Sequence, residues 1–149
     1  MGARLKVLLE PPRHGSLMLT FQSEEQALVI PASYVPFDVL TELADALVNV
    51  LETNRECVAR INCEPDEYDV RFTCTDELLR VEVTYFPFSR RRPAAELVFV
   101  HEGSAVHVGR CFWRAFRRLE AVFERAHWSN DFPSGPVAQL GSLTVTNRV

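Results

Sequence analysis

Alternating apolar and polar positions dominate the first thirty residues. "RLKVLLE" (4–10) is a β-prone run stopped by Pro11 and Pro12. "SLMLTF" (16–21) sets Leu17, Leu19 and Phe21 against Ser16, Met18 and Thr20. "QALVIP" (26–31) is a third run, and "QSEEQ" between them reads as a turn. Period two with such punctuation predicts an N-terminal meander of three strands. The period then changes. In "PFDVLTELADALVNVLETN" (36–54), Phe37, Leu40, Leu43, Ala44, Leu47 and Leu51 recur at steps of three and four, the signature of an amphipathic helix. Pro36 suits an early helical position, where its missing N–H needs no partner. Val39, Val48 and Val50 widen the apolar stripe and predict deep burial.

Three more alternating runs follow. "ECVARINC" (56–63) aligns Cys57, Ala59, Ile61 and Cys63; "EYDVRFTC" (67–74) aligns Tyr68, Val70, Phe72 and Cys74; "LLRVEVTYF" (78–86) aligns Leu79, Val81, Val83 and Tyr85. Their other sides carry Arg60, Asn62, Asp69, Arg71, Thr73, Arg80, Glu82 and Thr84, as in an antiparallel sheet with one wet face. A tight "EPDE" turn would place Cys57 opposite Cys74. "ELVFVHE" (96–102) is another strand, "GS" a turn, and "AVHVG" (105–109) a last strand or the approach to a second helix from about 110 to 127. That helix presents Phe112, Trp113, Phe116, Leu119, Val122, Phe123 and Ala126 on one side. Arg110, Arg114, Arg117 and Arg125 form a stripe on the other, with Glu120 and Glu124 near enough to pair with Arg117 and Arg125. About 129–149 reads as an irregular tail packed on the body, with "SLTV" a candidate short strand. The expected fold is α+β: a mostly antiparallel sheet of about six to eight strands, with two amphipathic helices packed on one face. Its order is βββ-α-ββββ(β)-α-tail, in one domain over 1–149.

Composition narrows the chemistry. With 47% apolar and 24% charged residues in 149, the chain can close a hydrophobic core. The net charge of −4 disfavours a dedicated nucleic-acid binder, whose affinity comes from neutralising phosphates. No apolar run approaches a membrane span or a signal-peptide core, so the expected location is cytoplasmic. The four cysteines form no C-x-x-C pair and read as small buried hydrophobes, with Cys57 and Cys74 reduced neighbours rather than a bridge. His14, His101, His107 and His127 lack ligand spacing to other donors, so no metal and no cofactor is expected. Neither a G-x-S-x-G elbow, a P-loop nor a dinucleotide-binding glycine pattern occurs, which points away from an enzyme.

Two charged constellations remain. Glu64, Asp66, Glu67 and Asp69 in "CEPDEYD", joined by Asp76 and Glu77 of the next turn, would form an acidic rim able to steer a basic partner. Arg90, Arg91 and Arg92 in "PFSRRRPAAE", with Arg110, Arg114 and Arg117, would form an alternative basic patch for nucleic acid or an acidic partner. In element order and size, with "VPFDVLTELADAL" and "CFWRAFRRLEAVF" as its two helices, the chain resembles the small bacterial α+β immunity proteins of polymorphic toxin systems. That resemblance implies non-catalytic binding, in which the protein occludes a basic toxin's active site. A nucleic-acid-associated or regulatory module is the alternative. One-sided sheets leave edges able to pair, so a homo-oligomer also fits.

Overall fold

The computed structural model describes residues 4–87, 95–128 and 130–145. Three strands, β1 (Lys6–Leu9), β2 (Ser16–Gln22) and β3 (Ala27–Ser33), form an antiparallel sheet in the order β1-β2-β3. Their inward residues Val7, Leu9, Leu17, Leu19, Phe21, Ile30 and Ala32 are buried, as the alternation predicts. Helix α1 (Val39–Thr53) follows, then β4 (Cys57–Asn62), β5 (Glu67–Thr75), β6 (Leu78–Phe86) and β7 (Glu96–Ser104) in a second antiparallel sheet of order β4-β5-β6-β7. Helix α2 (Ala105–Val122), a 3₁₀ turn (Arg125–His127) and helix α3 (Ser134–Thr144) complete the described chain.

The fold is α+β and antiparallel, but the expected single sheet is two. The side-chain amide of Gln26, just before β3, bonds both the C=O and the N–H of Val100 in β7, at 3.0 and 3.1 Å. Beyond the other end of β3, the buried Asn62 of β4 donates to the Val35 C=O at 2.6 Å. Strands β7 and β4 are the two outer strands of the second sheet, so β3 spans that sheet's width instead of extending it. Phe21 of β2 meets Phe99 of β7 and Phe112 of α2 at ring separations of 5.6 and 5.9 Å, and Phe112 meets Phe72 at 5.6 Å. One hydrophobic cluster therefore runs through both sheets and the helices.

Helix α1 packs on β4 and β5, and α2 on β1, β6 and β7. Leu40, Leu43, Ala44 and Leu47 are fully buried, in the predicted stripe. The helix starts later than Pro36: Asp38 is its N-cap, and Asn54 closes it in the left-handed region at φ 58°. On α2 the expected start is also displaced. Ser104 caps the helix by accepting from the His107 N–H at 3.0 Å, so "AVHVG" is its first turn and not a strand. Helical geometry ends at Phe123, which is extended. Val122 and Ala126, expected on the packed side, are exposed.

The tail departs furthest from its expected irregular form. Residues 134–144 are helical, with Pro136 in the first turn where its missing N–H costs nothing. This third helix lies on α1 and α2, as an outer layer rather than an irregular strap or a strand. Close approach explains one glycine on each side of the α2–α3 contact. A Cβ on Gly141 would lie 2.5 Å from Trp113 Nε1, and one on Gly109 of α2 would lie 2.6 Å from Thr144 Cγ2. Among the described residues no helix is long and apolar enough to cross a membrane.

Candidate binding surface

The helices cover one face of the four-stranded sheet and leave the other uncovered among the described residues. Ala59, Ile61, Val70, Phe72, Leu79, Val81 and Val83 point to the helices and are buried. Their neighbours along each strand therefore point outward. Register sorts these into rows. Arg60 lies opposite Asp69, and Asp69 opposite Thr84. The next row is Val58, Arg71, Glu82 and Val100, and a third is Thr73, Arg80 and Glu102. Opposite charges directly across a ladder stabilise it modestly and fix side-chain positions.

Further contacts hold these charges in place. Arg60 is 3.6 Å from Glu67, stacks its guanidinium 4.4 Å over the Phe37 ring, and gives its backbone N–H to Glu42 at 2.9 Å. Arg80 bonds Glu82 at 2.7 Å, and Arg71 pairs with Glu56. The result is a broad face of alternating sign carried on rigid strands. Sheet alternation pointed to Arg60, Arg71, Arg80 and Glu82. Nothing local in the sequence linked them to Phe37, Glu42 or Glu56, which approach from other elements.

The six acidic residues do not form one rim. Glu64, Asp66, Glu67 and Asp69 gather where β4 turns into β5, while Asp76 and Glu77 form the β5–β6 turn at the opposite end. The nine residues of β5 separate the two groups by roughly 30 Å. At the first end, the 63–66 loop is closed by the Cys63 N–H to the Asp66 C=O at 2.8 Å. That loop sets Cys57 opposite Phe72 instead of Cys74, and all four cysteines are free. Asp66 accepts the Tyr85 hydroxyl at 2.9 Å, and the Tyr85 ring packs tilted at 5.2 Å from Tyr68. The hydrogen bond to Asp66, with burial, raises the Tyr85 hydroxyl above its ordinary value. Burial and the Asp66 charge push the Cys63 thiol up to about 12, so it stays protonated and is a poor nucleophile. Asp69 is buried within the sheet face at 8% exposure.

At the far end, Asp76 and Glu77 both take positive φ, 52° and 68°, and the Glu77 C=O accepts the Ala105 N–H at 2.8 Å. A hollow of about 560 Å³ opens there between Leu51, Asn54, Cys74, Ala105 and Leu143. Burial and Glu77 raise the Cys74 thiol, so this hollow offers no ready thiolate.

The arginine stripe also divides. Arg110 is half-buried and donates to the Thr144 C=O at 2.7 Å, placing a cation on the last turn of α3. Arg114 is exposed, and Arg117 sits 3.5 Å from Glu120 and over the Trp113 ring. Arg125 has left the helix and pairs with Asp131 at 3.1 Å. Arg90, Arg91 and Arg92 lie outside the described residues. His101 is buried with its Nε2 unpartnered, and burial together with His107 lowers its pKa. Among the described residues no three histidines, cysteines or carboxylates gather as a metal site. Comparison with protein-family models, curated proteins and solved structures gives no match to this chain.

Proposed function

We propose that the chain is a non-catalytic protein-binding module of the immunity type. It presents the open face of the four-stranded sheet, and the carboxylates at its 64–69 end, to a basic partner whose active site it occludes. One observation carries this reading. Among the described residues one face of this sheet stays free of helices, and Arg60, Arg71, Arg80 and Glu82 stand on it partly exposed and prepositioned by ion pairs. Such a face suits recognition, because little side-chain entropy is lost on docking and complementary charge speeds encounter. The net charge of −4 favours a cationic partner. The Arg110 and Arg117 contacts to Thr144 and Glu120 leave the nucleic-acid alternative with less support.

The test is co-expression with the product of any large reading frame found adjacent to this chain's own. Growth arrest by that product should be relieved by the chain, and relief should be lost in a Glu64→Lys, Glu67→Lys variant that still folds. Absence of relief overturns the immunity reading. Binding to random-sequence DNA at low salt that falls steeply with added salt would favour the alternative.

A further inference from the structure

The outer face of the three-stranded sheet is a second, separate surface. Leu8, Met18 and Val29 stand on it at 36, 41 and 54% exposure, beside exposed Ala27 and Pro31. Register places Leu8, Thr20 and Val29 in one row across the three strands. On β1 that row is flanked on the same face by exposed Lys6 on one side and exposed Glu10 on the other. The pattern is self-complementary. A two-fold axis along the Leu8, Thr20 and Val29 row turns the strands antiparallel to their copies and sets Lys6 of one copy over Glu10 of the other. Beyond this pair the signs reverse and still oppose each other across the axis: Arg13 lies in the turn beyond Glu10, and Glu24 and Glu25 lie in the turn beyond Lys6, beside Arg4, all exposed. A hollow of about 360 Å³ between Glu10, Pro11, Arg13, Ser16 and Met18 sits where the partner's Lys6 would arrive. Its Pro11 and Met18 suit a lysine's alkyl stem, and Glu10 suits its ammonium.

We infer that this face is an isologous interface between two copies of the chain. The three strands are about 14 Å across and about 20 Å long, smaller than one side of a standard interface. The dimer is therefore weak, forming in the micromolar range or above, and it leaves the four-stranded sheet face free. Sedimentation equilibrium over a wide concentration range tests it. The mass should rise from 17.0 kDa toward twice that value. Val29→Glu, which sets two carboxylates against each other at the axis, should abolish the rise while circular dichroism stays unchanged. Lys6→Glu alone should weaken association about tenfold by facing like charges, and Lys6→Glu with Glu10→Lys should restore it. A chain that stays monomeric to millimolar concentration overturns the inference. So does a dimer indifferent to Val29→Glu, or a charge swap that fails to restore what Lys6→Glu removed. Loss of a toxin-like partner through Val29→Glu, in a chain that is always monomeric, would assign the face to that partner instead.

Discussion

Asp38 Oδ1 accepts the indole N–H of Trp128 at 3.3 Å while capping α1 through the Leu40 N–H at 2.9 Å. Its second oxygen accepts from Asn130 at 3.1 Å. One carboxylate therefore starts the first helix and holds the segment that leaves the second. Trp128 is 1% exposed, with Tyr34 edge-on at 5.2 Å, so its indole N–H has little access to water as a substitute acceptor.

Asp38→Ala should accordingly cost more than an ordinary cap. A lost cap is worth about 1 kcal/mol, and a buried indole N–H left without an acceptor adds about 1–2 kcal/mol. Urea unfolding followed by tryptophan fluorescence would measure the sum. Asp38→Asn should keep most of the stability, because asparagine caps nearly as well and retains a carbonyl oxygen for Trp128. Equal losses for both variants would mean that charge, not geometry, matters at this position.

Helix α3 is held by closeness. Alanine is the better helix former, by about 1 kcal/mol relative to glycine. Gly141→Ala should nonetheless destabilise by about 1–3 kcal/mol, since its Cβ would meet the Trp113 ring at 2.5 Å. Pairing it with Trp113→Leu, which removes the ring, should recover part of that loss. Thermal unfolding of the two single variants and the double variant decides the matter. An additive result would remove Trp113 as the cause.

Stability should fall on the acid side through His101. Its pKa in the fold is lowered from 6.5 by burial, with His107 adding to the effect. The unfolded chain then binds more protons than the fold once pH drops to about 6.5, so stability declines as pH falls through that value. The slope ends once pH is below the folded value, where both states are protonated. His101→Gln should flatten this slope between pH 7 and 5. Denaturant midpoints across that range provide the check. An unchanged slope in His101→Gln would place the titrating group elsewhere.

Legibility varied with the range of the interaction. Alternation in 56–63, 67–74 and 78–86 identified β4, β5 and β6 and sorted Val70, Phe72, Val81 and Val83 from Arg71, Arg80 and Glu82 correctly, because side-chain direction in a strand follows from position alone. The stripe of α1 was readable for the same reason. Helix α3 was not, because "SGPVAQLGSLT" has glycines where a loop would have them. Gly141 is required by Trp113, which approaches from α2, a distant part of the chain. The expected pairing of Cys57 with Cys74 failed by a short shift in the turn, since register depends on loop geometry that residue types only suggest.

The sequence by itself determined which residues turn inward, where the period changes from two to near four, and that the chain carries excess negative charge. Those properties reside in neighbours a few positions apart. Tertiary structure alone decided that the strands divide into two sheets joined by Gln26 and Asn62, and that Asp76 and Glu77 stand far from Glu64 and Asp66. It also decided that Arg110 serves the end of α3. These outcomes depend on backbone groups and side chains meeting across long stretches of chain, where the hydrogen bond or close contact exists only once the core has brought them together.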